Sequence, residues 1–178
     1  MTASIVQLIH GDITELSVDA IVNAAKESLL GGSGVDGAIH RAAGPELLSA
    51  VKELPEISPN IRCKIAQAVL TPGFDLPSKH VIHTVGPVWR GGHENEQDAL
   101  ARTYRACMVL AEKHRFRSIA FPCISTGVYG FPFTKACSIA LNTIEGVDFG
   151  SLENIYLVCY TLKDYTKFCE IFEKKNRV

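Results

Sequence analysis

Short apolar runs alternate along the chain with segments of helical period. Six runs rich in Val and Ile are nearly continuous in hydrophobicity, as expected of strands that are covered on both faces. They span residues 5–9, 20–24, 68–71, 80–85, 118–123 and 155–160. The segment 96–114 carries an apolar stripe, and Tyr165, Phe168, Cys169 and Phe172 share one face of a second helical segment. This alternation predicts a three-layer α/β/α sandwich around a central, mostly parallel mixed sheet.

Length and composition favour a single domain over residues 1–178. Of the 178 residues, 47% are hydrophobic and 21% are charged, which excludes a disordered or coiled-coil protein. Basic and acidic residues nearly balance, at 18 against 19. This balance argues against a nucleic-acid surface, because such a surface follows phosphates with basic side chains. No apolar run reaches the roughly 20 residues that a membrane span needs.

The N-terminal sequence and the cysteines bear on the compartment. The chain runs from Met1 directly into the first apolar run, without the pattern of a signal peptide. None of the six cysteines forms a C-x-x-C pair, so they are expected to be reduced and mostly buried. We therefore expect a monomer in the cytoplasm, or in the nucleus of a eukaryote.

Two glycine-bearing loops are the candidate binding elements. The first, residues 31–37, leads into a predicted helix that begins at Val35 or Asp36 and ends at Ala43. The second, residues 125–130, lies between an apolar run and a helix predicted near Pro132. Glycine lets backbone N–H groups approach a ligand, and a helix N-terminus adds unpaired donors and partial positive charge. Because open α/β sheets bind ligands at the carboxyl ends of strands, two such loops suit a diphosphate.

The residues alone leave a purely structural role open for both loops. Glycines are common in plain strand-to-helix turns. Neither loop matches G-x-G-x-x-G or the P-loop pattern, which disfavours a dehydrogenase or P-loop nucleotidase. No H-E-x-x-H, C-x-x-C or acidic trio is present, so neither a metal nor a cofactor is expected. Ser125 lacks a G-x-S-x-G elbow, and Cys123 suits packing better than nucleophilic attack.

Five ordered sequence blocks resemble the macrodomain family. They are GDIT at 11–14, IVNAA at 21–25, GGSGVDGAIHRAAGP at 31–45, IHTVGPVW at 82–89 and ISTGVYGFP at 124–132. The resemblance covers nearly the whole chain and points to the branch with mono-ADP-ribosyl hydrolases and O-acetyl-ADP-ribose deacetylases. It implies a metal-independent enzyme that binds ADP-ribose or ADP-ribosylated protein and hydrolyses ADP-ribosyl esters.

The resemblance assigns the adenosine end of the ligand to two residues that follow strands. Asp12, with Ile13 beside it, corresponds to the aspartate that accepts a hydrogen bond from the adenine amino group. From spacing alone, Asp12 would be a turn or helix-start residue ahead of Thr14. Tyr160 corresponds to an aromatic that stacks on adenine, a contact worth about 1–3 kcal/mol. The alternative for Tyr160 is an ordinary core residue at a strand end.

The same resemblance implies that the two loops hold the diphosphate and the distal ribose from opposite sides. Tyr129 would close over the distal ribose, and Asn23 would brace the first loop. The implied binding residues are Gly32, Ser33, Gly34 and Val35 in the first loop and Ser125, Thr126, Gly127, Val128 and Tyr129 in the second.

Asp36 corresponds to the catalytic carboxylate of the family. Near the anomeric carbon of the substrate it would orient or deprotonate a water, as a general base does. Its position also suits the N-cap of the following helix, and a capping bond would fix the carboxylate. His40 and Arg41, on that helix, are expected to support the site rather than to react.

Lys26 departs from the family pattern. Hydrolytic members read N-A-A-N, and their second asparagine positions the distal ribose, whereas Lys26 stands at that place here. Loss of one such hydrogen bond costs about 1–3 kcal/mol, a slowing of roughly ten- to a hundredfold if it falls on the transition state. Lysine can still donate, so Lys26 joins Asp36 in the predicted catalytic set. The alternative function is a non-catalytic ADP-ribose reader.

A smaller departure from the family pattern lies between the second and third apolar runs. Relatives often carry Thr-Gly where this chain has Ile65 and Ala66. We interpret this difference as structural.

Overall fold

Six strands form one mixed sheet whose strand order determines where a site can lie. A computed structural model describes residues 5–147 and 150–177. The sheet order is β1-β6-β5-β2-β4-β3, and every neighbouring pair is parallel except β3 and β4. The strands are β1 (Ile5–His10), β2 (Ala20–Ala24), β3 (Ala68–Pro72), β4 (His80–Thr84), β5 (Ser118–Phe121) and β6 (Asn154–Cys159).

Helices cover both faces of this sheet, which confirms the predicted three-layer architecture. The side chains of α1 and α2 share a core cluster with one face of the central strands, and those of α3, α4 and α5 share a larger cluster with the other. The helices are α1 (Gly34–Ala43), α2 (Pro45–Glu53), α3 (Glu96–Lys113), α4 (Phe133–Glu145) and α5 (Leu162–Asn176).

Alternating side chains of the central strands supply the two cores. On β2, Ile21 packs with the α1 and α2 cluster, whereas Val22 packs with the α3, α4 and α5 cluster. On β4, Val81 and Ile82 divide in the same way. Both faces of these strands are therefore apolar, which explains their nearly continuous hydrophobicity.

The end of β5 and one helix depart most from the sequence prediction, and the bounds of the other strands agree within one residue. The run 118–123 is a strand only as far as Phe121, because Pro122 has no N–H for the ladder. Helix α2 was not expected; Pro45 stands at its first positions, and Leu47 and Val51 bury its apolar face.

The six cysteines are all free thiols, four of them buried and two half-buried. This agrees with the expectation of reduced, mostly buried side chains. Within residues 5–147 and 150–177, no helix combines the length and the hydropathy of a membrane span.

Five parallel strands end at the same edge of the sheet. After them come Asp12, the first glycine loop, Val85, the second glycine loop and Tyr160. The carboxyl edge of the sheet is therefore where the predicted site residues gather.

Candidate active site

The ends of β1 and β6 form the adenosine side of the predicted site. The backbone N–H of Gly11 donates to the carbonyl of Cys159 at 3.0 Å, which joins the two strand ends. Tyr160 follows directly and is 77% exposed. The alternative that Tyr160 is a core residue is therefore wrong, and its ring is available for stacking.

Asp12 caps a short 3-10 turn, Ile13–Glu15. Its Oδ1 accepts from the backbone N–H of Thr14 at 2.9 Å and from the hydroxyl of Thr14 at 2.7 Å. The turn-start role expected from spacing is thus present, and it leaves Oδ2 for another donor. Ile13 is buried in the core, so a contact between Ile13 and a ligand would have to use its backbone.

The second glycine loop is a rigid turn anchored on Cys123. Thr126 donates to the Cys123 carbonyl through its hydroxyl at 2.8 Å, and the N–H of Phe131 donates to the Ser125 carbonyl at 2.9 Å. Ser125 is buried and has a φ of 66°, in the left-handed region. The amides of Gly127, Val128 and Tyr129 donate to no acceptor in the part of the chain that the structure describes, so they are free to bind an anion.

The first glycine loop leads into α1 one residue earlier than predicted. Ser33 is the N-cap and makes no side-chain capping bond, so Asp36 lies within the first turn and the N-cap interpretation of Asp36 is wrong. Gly31 and Gly34 have φ of 91° and 61°, which favour glycine. Gly32, Ser33 and Gly34 are exposed at the mouth of the site.

Asp36 is a buried carboxylate, only 3% exposed. Its Oδ1 accepts from Asn23 Nδ2 at 2.8 Å and lies 3.5 Å from His40 Nε2. Its Oδ2 is buried and has no hydrogen-bond partner among the described residues. Burial raises the pKa of Asp36, and the Asn23 bond and the charges of His40 and Lys26 oppose that rise. The carboxylate is therefore a stronger base than an exposed aspartate.

The side chains of Lys26 and Asp36 both lie next to Gly32. A side chain at Gly32 would place its Cβ 3.1 Å from Asp36 Oδ2, 3.5 Å from Lys26 Cε and 3.7 Å from Lys26 Nζ. Lys26 itself is exposed. The structure thus brings both residues of the predicted catalytic set to one point of the first loop.

The pKa of Tyr129, in the second loop, responds to charges near the first loop. Burial raises the pKa of its hydroxyl, and the negative charges of Glu27 and Asp36 raise it further. The backbone carbonyl of Tyr129 accepts from the N–H of Trp89 at 2.8 Å, which holds the second loop against the chain after β4. Glu27 was not among the predicted residues, although it follows Lys26 directly.

A buried polar chain behind Asp36 was also not predicted. Asn23 Nδ2 lies 3.2 Å from His83 Nδ1, and His83 Nε2 lies 2.8 Å from Thr71 Oγ1. Burial lowers the pKa of His83 to about 3, and the nearby charge of His40 lowers it too. The only signal in the sequence is a histidine between apolar residues in a matched block. Asn23 was expected to brace the first loop; it bonds Asp36 at the end of that loop, and it also joins β2 to β4 through His83.

Among the described residues, no group of three or more His, Cys, Asp or Glu side chains could hold a metal ion. The expectation of a metal-independent site stays a prediction.

The fold and the site define a class: a three-layer α/β/α domain with two glycine-bearing loops at the carboxyl edge of its sheet. The Macro domain family model matches residues 22–140. The chain belongs to the macrodomain family, as its five sequence blocks indicated.

Similar proteins and similar solved structures agree with this assignment. An O-acetyl-ADP-ribose deacetylase of Salmonella gallinarum is 55% identical over 156 residues, 86% of either chain. A macro domain-containing protein of Ralstonia nicotianae is 53% identical over 158 residues, 88% of this chain and 87% of its own. The Oceanobacillus iheyensis macrodomain with ADP superposes with a TM-score of 0.90 at 40% identity, over 98% of this chain and 93% of that one. A Trypanosoma brucei macrodomain in complex with ADP-ribose gives 0.81 at 39% identity, over 94% and 68%.

Proposed function

We propose that this macrodomain binds ADP-ribose at the carboxyl edge of its sheet and hydrolyses ADP-ribosyl esters, O-acetyl-ADP-ribose among them. The observation that carries the proposal is Asp36, a buried carboxylate with an unpartnered Oδ2 beside a glycine-rich loop. The deacetylase name of relatives at about 55% identity supports the ester as substrate.

The binding half of the proposal uses backbone groups for the charged part of the ligand. Free amides of the second loop and the uncapped first turn of α1 would hold the diphosphate. Asp12 Oδ2 would accept from the adenine amino group, and the exposed ring of Tyr160 would stack on the base. Backbone donors need little basic side-chain charge, which suits a chain with a net charge of -1.

The catalytic half assigns one proton transfer to Asp36. A water at Oδ2 gives a proton to the carboxylate as its oxygen attacks the ester. Attack at the acyl carbon forms a tetrahedral intermediate, from which the sugar oxygen leaves and takes the proton from Asp36 to become a hydroxyl. Attack at the anomeric carbon instead displaces the acyl oxygen in the same step as a carboxylate, and Asp36 releases its proton to solvent. Because Oδ1 is held by Asn23, Oδ2 is the oxygen that faces the water.

Lys26 supports a second candidate function, a reader that binds ADP-ribose without turnover. The ammonium of Lys26 lies on the Gly32 side of Asp36 and lowers the pKa of that carboxyl, which weakens it as a base. The same charge attracts a diphosphate. Lys26 would then raise affinity while lowering the rate.

Three variants distinguish the two functions: Asp36→Asn, Lys26→Asn and, as a matched control, Lys52→Asn at an exposed lysine of α2. Turnover is measured on O-acetyl-ADP-ribose and on protein mono-ADP-ribosylated at acidic side chains, and affinity by calorimetry with ADP-ribose. We expect Asp36→Asn to lose about a hundredfold or more in kcat, with affinity changed only a fewfold. Lys26→Asn should gain up to about tenfold in kcat, and Lys52→Asn should match the wild type.

The activity should also fall as the pH is lowered, and the midpoint of this fall should lie at a higher pH than the ordinary pKa of aspartate. The base must be ionised to act, and burial raises the pKa of Asp36. A wild type that binds ADP-ribose but turns over neither substrate, with activity gained in Lys26→Asn, would establish the reader. Absence of binding at millimolar ADP-ribose would overturn both functions.

A further inference from the structure

Four buried polar side chains form one hydrogen-bonded chain that ends at Asp36. Asn23 Nδ2 lies 2.8 Å from Asp36 Oδ1 and 3.2 Å from His83 Nδ1, and Thr71 Oγ1 lies 2.8 Å from His83 Nε2. Asn23 and His83 are fully buried, and Thr71 and Asp36 are each 3% exposed. The chain therefore runs through the protein interior from an edge strand to the active site.

The sheet register brings these residues together from distant parts of the sequence. Asn23 on β2 pairs directly with His83 on β4 in the parallel ladder. His83 pairs with Val69 on β3, so Thr71 is its diagonal neighbour on the same face. Asp36 reaches the chain from the first turn of α1, which packs on that face.

The donors and acceptors in this chain allow one consistent arrangement. A carboxylate can only accept, so Asn23 must direct its Nδ2 toward Asp36 Oδ1. The same Nδ2 then has its second hydrogen for His83 Nδ1, which must carry a lone pair. Since burial keeps His83 neutral, its proton is on Nε2 and is donated to Thr71 Oγ1. The Thr71 hydroxyl, which can donate or accept, accepts in this arrangement and so stabilises the histidine tautomer that the Asn23 amide requires.

We infer that Thr71 and His83 are positioning residues for Asp36, because their hydrogen bonds fix the Asn23 amide that holds Asp36 Oδ1 and leaves Oδ2 without a partner beside Gly32. This inference rests on the proposed function, in which Asp36 is the base. If Thr71 no longer accepts, the Nδ1–H tautomer of His83 becomes accessible and opposes the Nδ2–H of Asn23. The amide then turns its oxygen toward the Asp36 carboxylate, and the carboxylate shifts.

Other groups face this chain and must be kept constant in a test. Asp36 is approached by His40 from α1, by the charge of Lys26 from the segment after β2, and by Tyr129 from the second loop. His83 experiences the charge of His40, and its backbone carbonyl is 4.0 Å from the thiol of Cys63. None of these residues is altered by a substitution at Thr71.

The test compares Thr71→Val, which keeps the shape and removes the hydroxyl, with Thr71→Ser, which keeps the hydroxyl. Nitrogen-15 NMR of the histidine rings reports the tautomer of His83, and carbon-13 NMR of the aspartate carboxyls reports the titration of Asp36. Kinetics on O-acetyl-ADP-ribose give kcat, and calorimetry gives the Kd for ADP-ribose.

We expect the wild type and Thr71→Ser to hold His83 as the Nε2–H tautomer, and Thr71→Val to show a mixture of tautomers. In Thr71→Val the pKa of Asp36 should rise further, because the Asn23 bond that lowers it is weakened. Its kcat should fall about tenfold while the Kd stays within twofold, and Thr71→Ser should stay near the wild type.

A wild-type Nδ1–H tautomer, or an Asp36 titration that is the same in Thr71→Val and the wild type, would overturn the inference. If the wild type turns over no substrate, the proposed enzyme function fails by itself. The two NMR measurements still decide whether Thr71 and His83 position Asp36 in that case. A fall in kcat that Thr71→Ser shares equally would mean packing rather than positioning, and would also overturn it.

Discussion

At the scale of single residues, His83 makes the fold sensitive to acid. Burial holds its pKa at about 3 in the folded protein, whereas an unfolded histidine titrates near 6.5. Between these two pH values the unfolded chain binds a proton that the folded chain does not bind. The free energy of unfolding therefore falls as the pH drops from about 6.5 toward 3. At pH 4.5 the loss from this residue is roughly 3 kcal/mol.

Urea unfolding at pH 7 and pH 4.5 measures this loss. We expect the difference between the two pH values to shrink by about that amount in His83→Asn, whatever the overall stability of the variant. His93→Gln, at an exposed histidine, should keep the full difference of the wild type. Equal differences in all three proteins would show that His83 does not carry the effect.

Ala66 gives a second residue-scale prediction. Its φ of 63° lies in the left-handed region, where a Cβ costs about 1–2 kcal/mol and glycine costs little. Its N–H donates to the Val85 carbonyl at 3.0 Å, so the conformation is fixed by the sheet. This strain is a physical reason to expect glycine at this position.

Ala66→Gly should therefore stabilise the protein by about 1 kcal/mol, less the entropy that glycine gains in the unfolded chain. For a chain of this size the gain is a Tm increase of about 2–4 °C, measured by calorimetry. Ala101→Gly, within α3, should lower stability by about 1 kcal/mol because it weakens a helix interior. A lower Tm for Ala66→Gly would contradict the strain argument.

At the scale of elements, the second glycine loop depends on the absence of a side chain at Gly86. A Cβ there would overlap Ser125 Oγ and lie 2.7 Å from Ile124 Cγ2. Both of these atoms belong to the buried base of the loop. The conformation of the second loop therefore depends partly on Gly86, which follows β4 and Val85 and contacts the base of the loop.

Gly86→Ala should displace the loop and lower stability by about 1–3 kcal/mol, as overpacking does. If the loop holds the diphosphate, ADP-ribose affinity should fall about tenfold or more, measured by calorimetry. Gly150→Ala is the control, because its nearest contact would be a side-chain oxygen at 3.8 Å. Unchanged affinity in a destabilised Gly86→Ala would separate the loop from ligand binding.

The elements themselves were largely predictable from hydrophobic pattern. Each of the six apolar runs became a strand, because a strand covered on both faces must be apolar at consecutive positions. Helix α2 was not predicted, since Pro45 and the short apolar stripe of Leu47 and Val51 gave a weak signal. The predicted start of α1 was later than the observed one, because the helix begins at Gly34 and glycine is a poor helix former.

The candidate site was predictable only where it is local in sequence. The glycine loops and Asp36 stand within recognisable blocks, so resemblance could place them. The chain through His83 and Thr71 depends on the β2–β4 and β3–β4 registers. A periodic pattern indicates which face of the sheet a side chain takes, but not which residues of distant strands stand opposite each other. Asp36 could be named from sequence, but its burial and its unpartnered oxygen could not.

At the scale of the whole molecule, five parallel strands deliver their carboxyl ends to one edge, and the antiparallel β3 lies outside them at the border of the sheet. A border strand has hydrogen bonds on one side only, so its local opening costs less than global unfolding. Thr71 belongs to this strand. The protein should accordingly lose activity below the temperature at which it unfolds: reversible fraying of β3 would disturb Asp36 while amide exchange still finds the central strands β6, β5 and β2 protected.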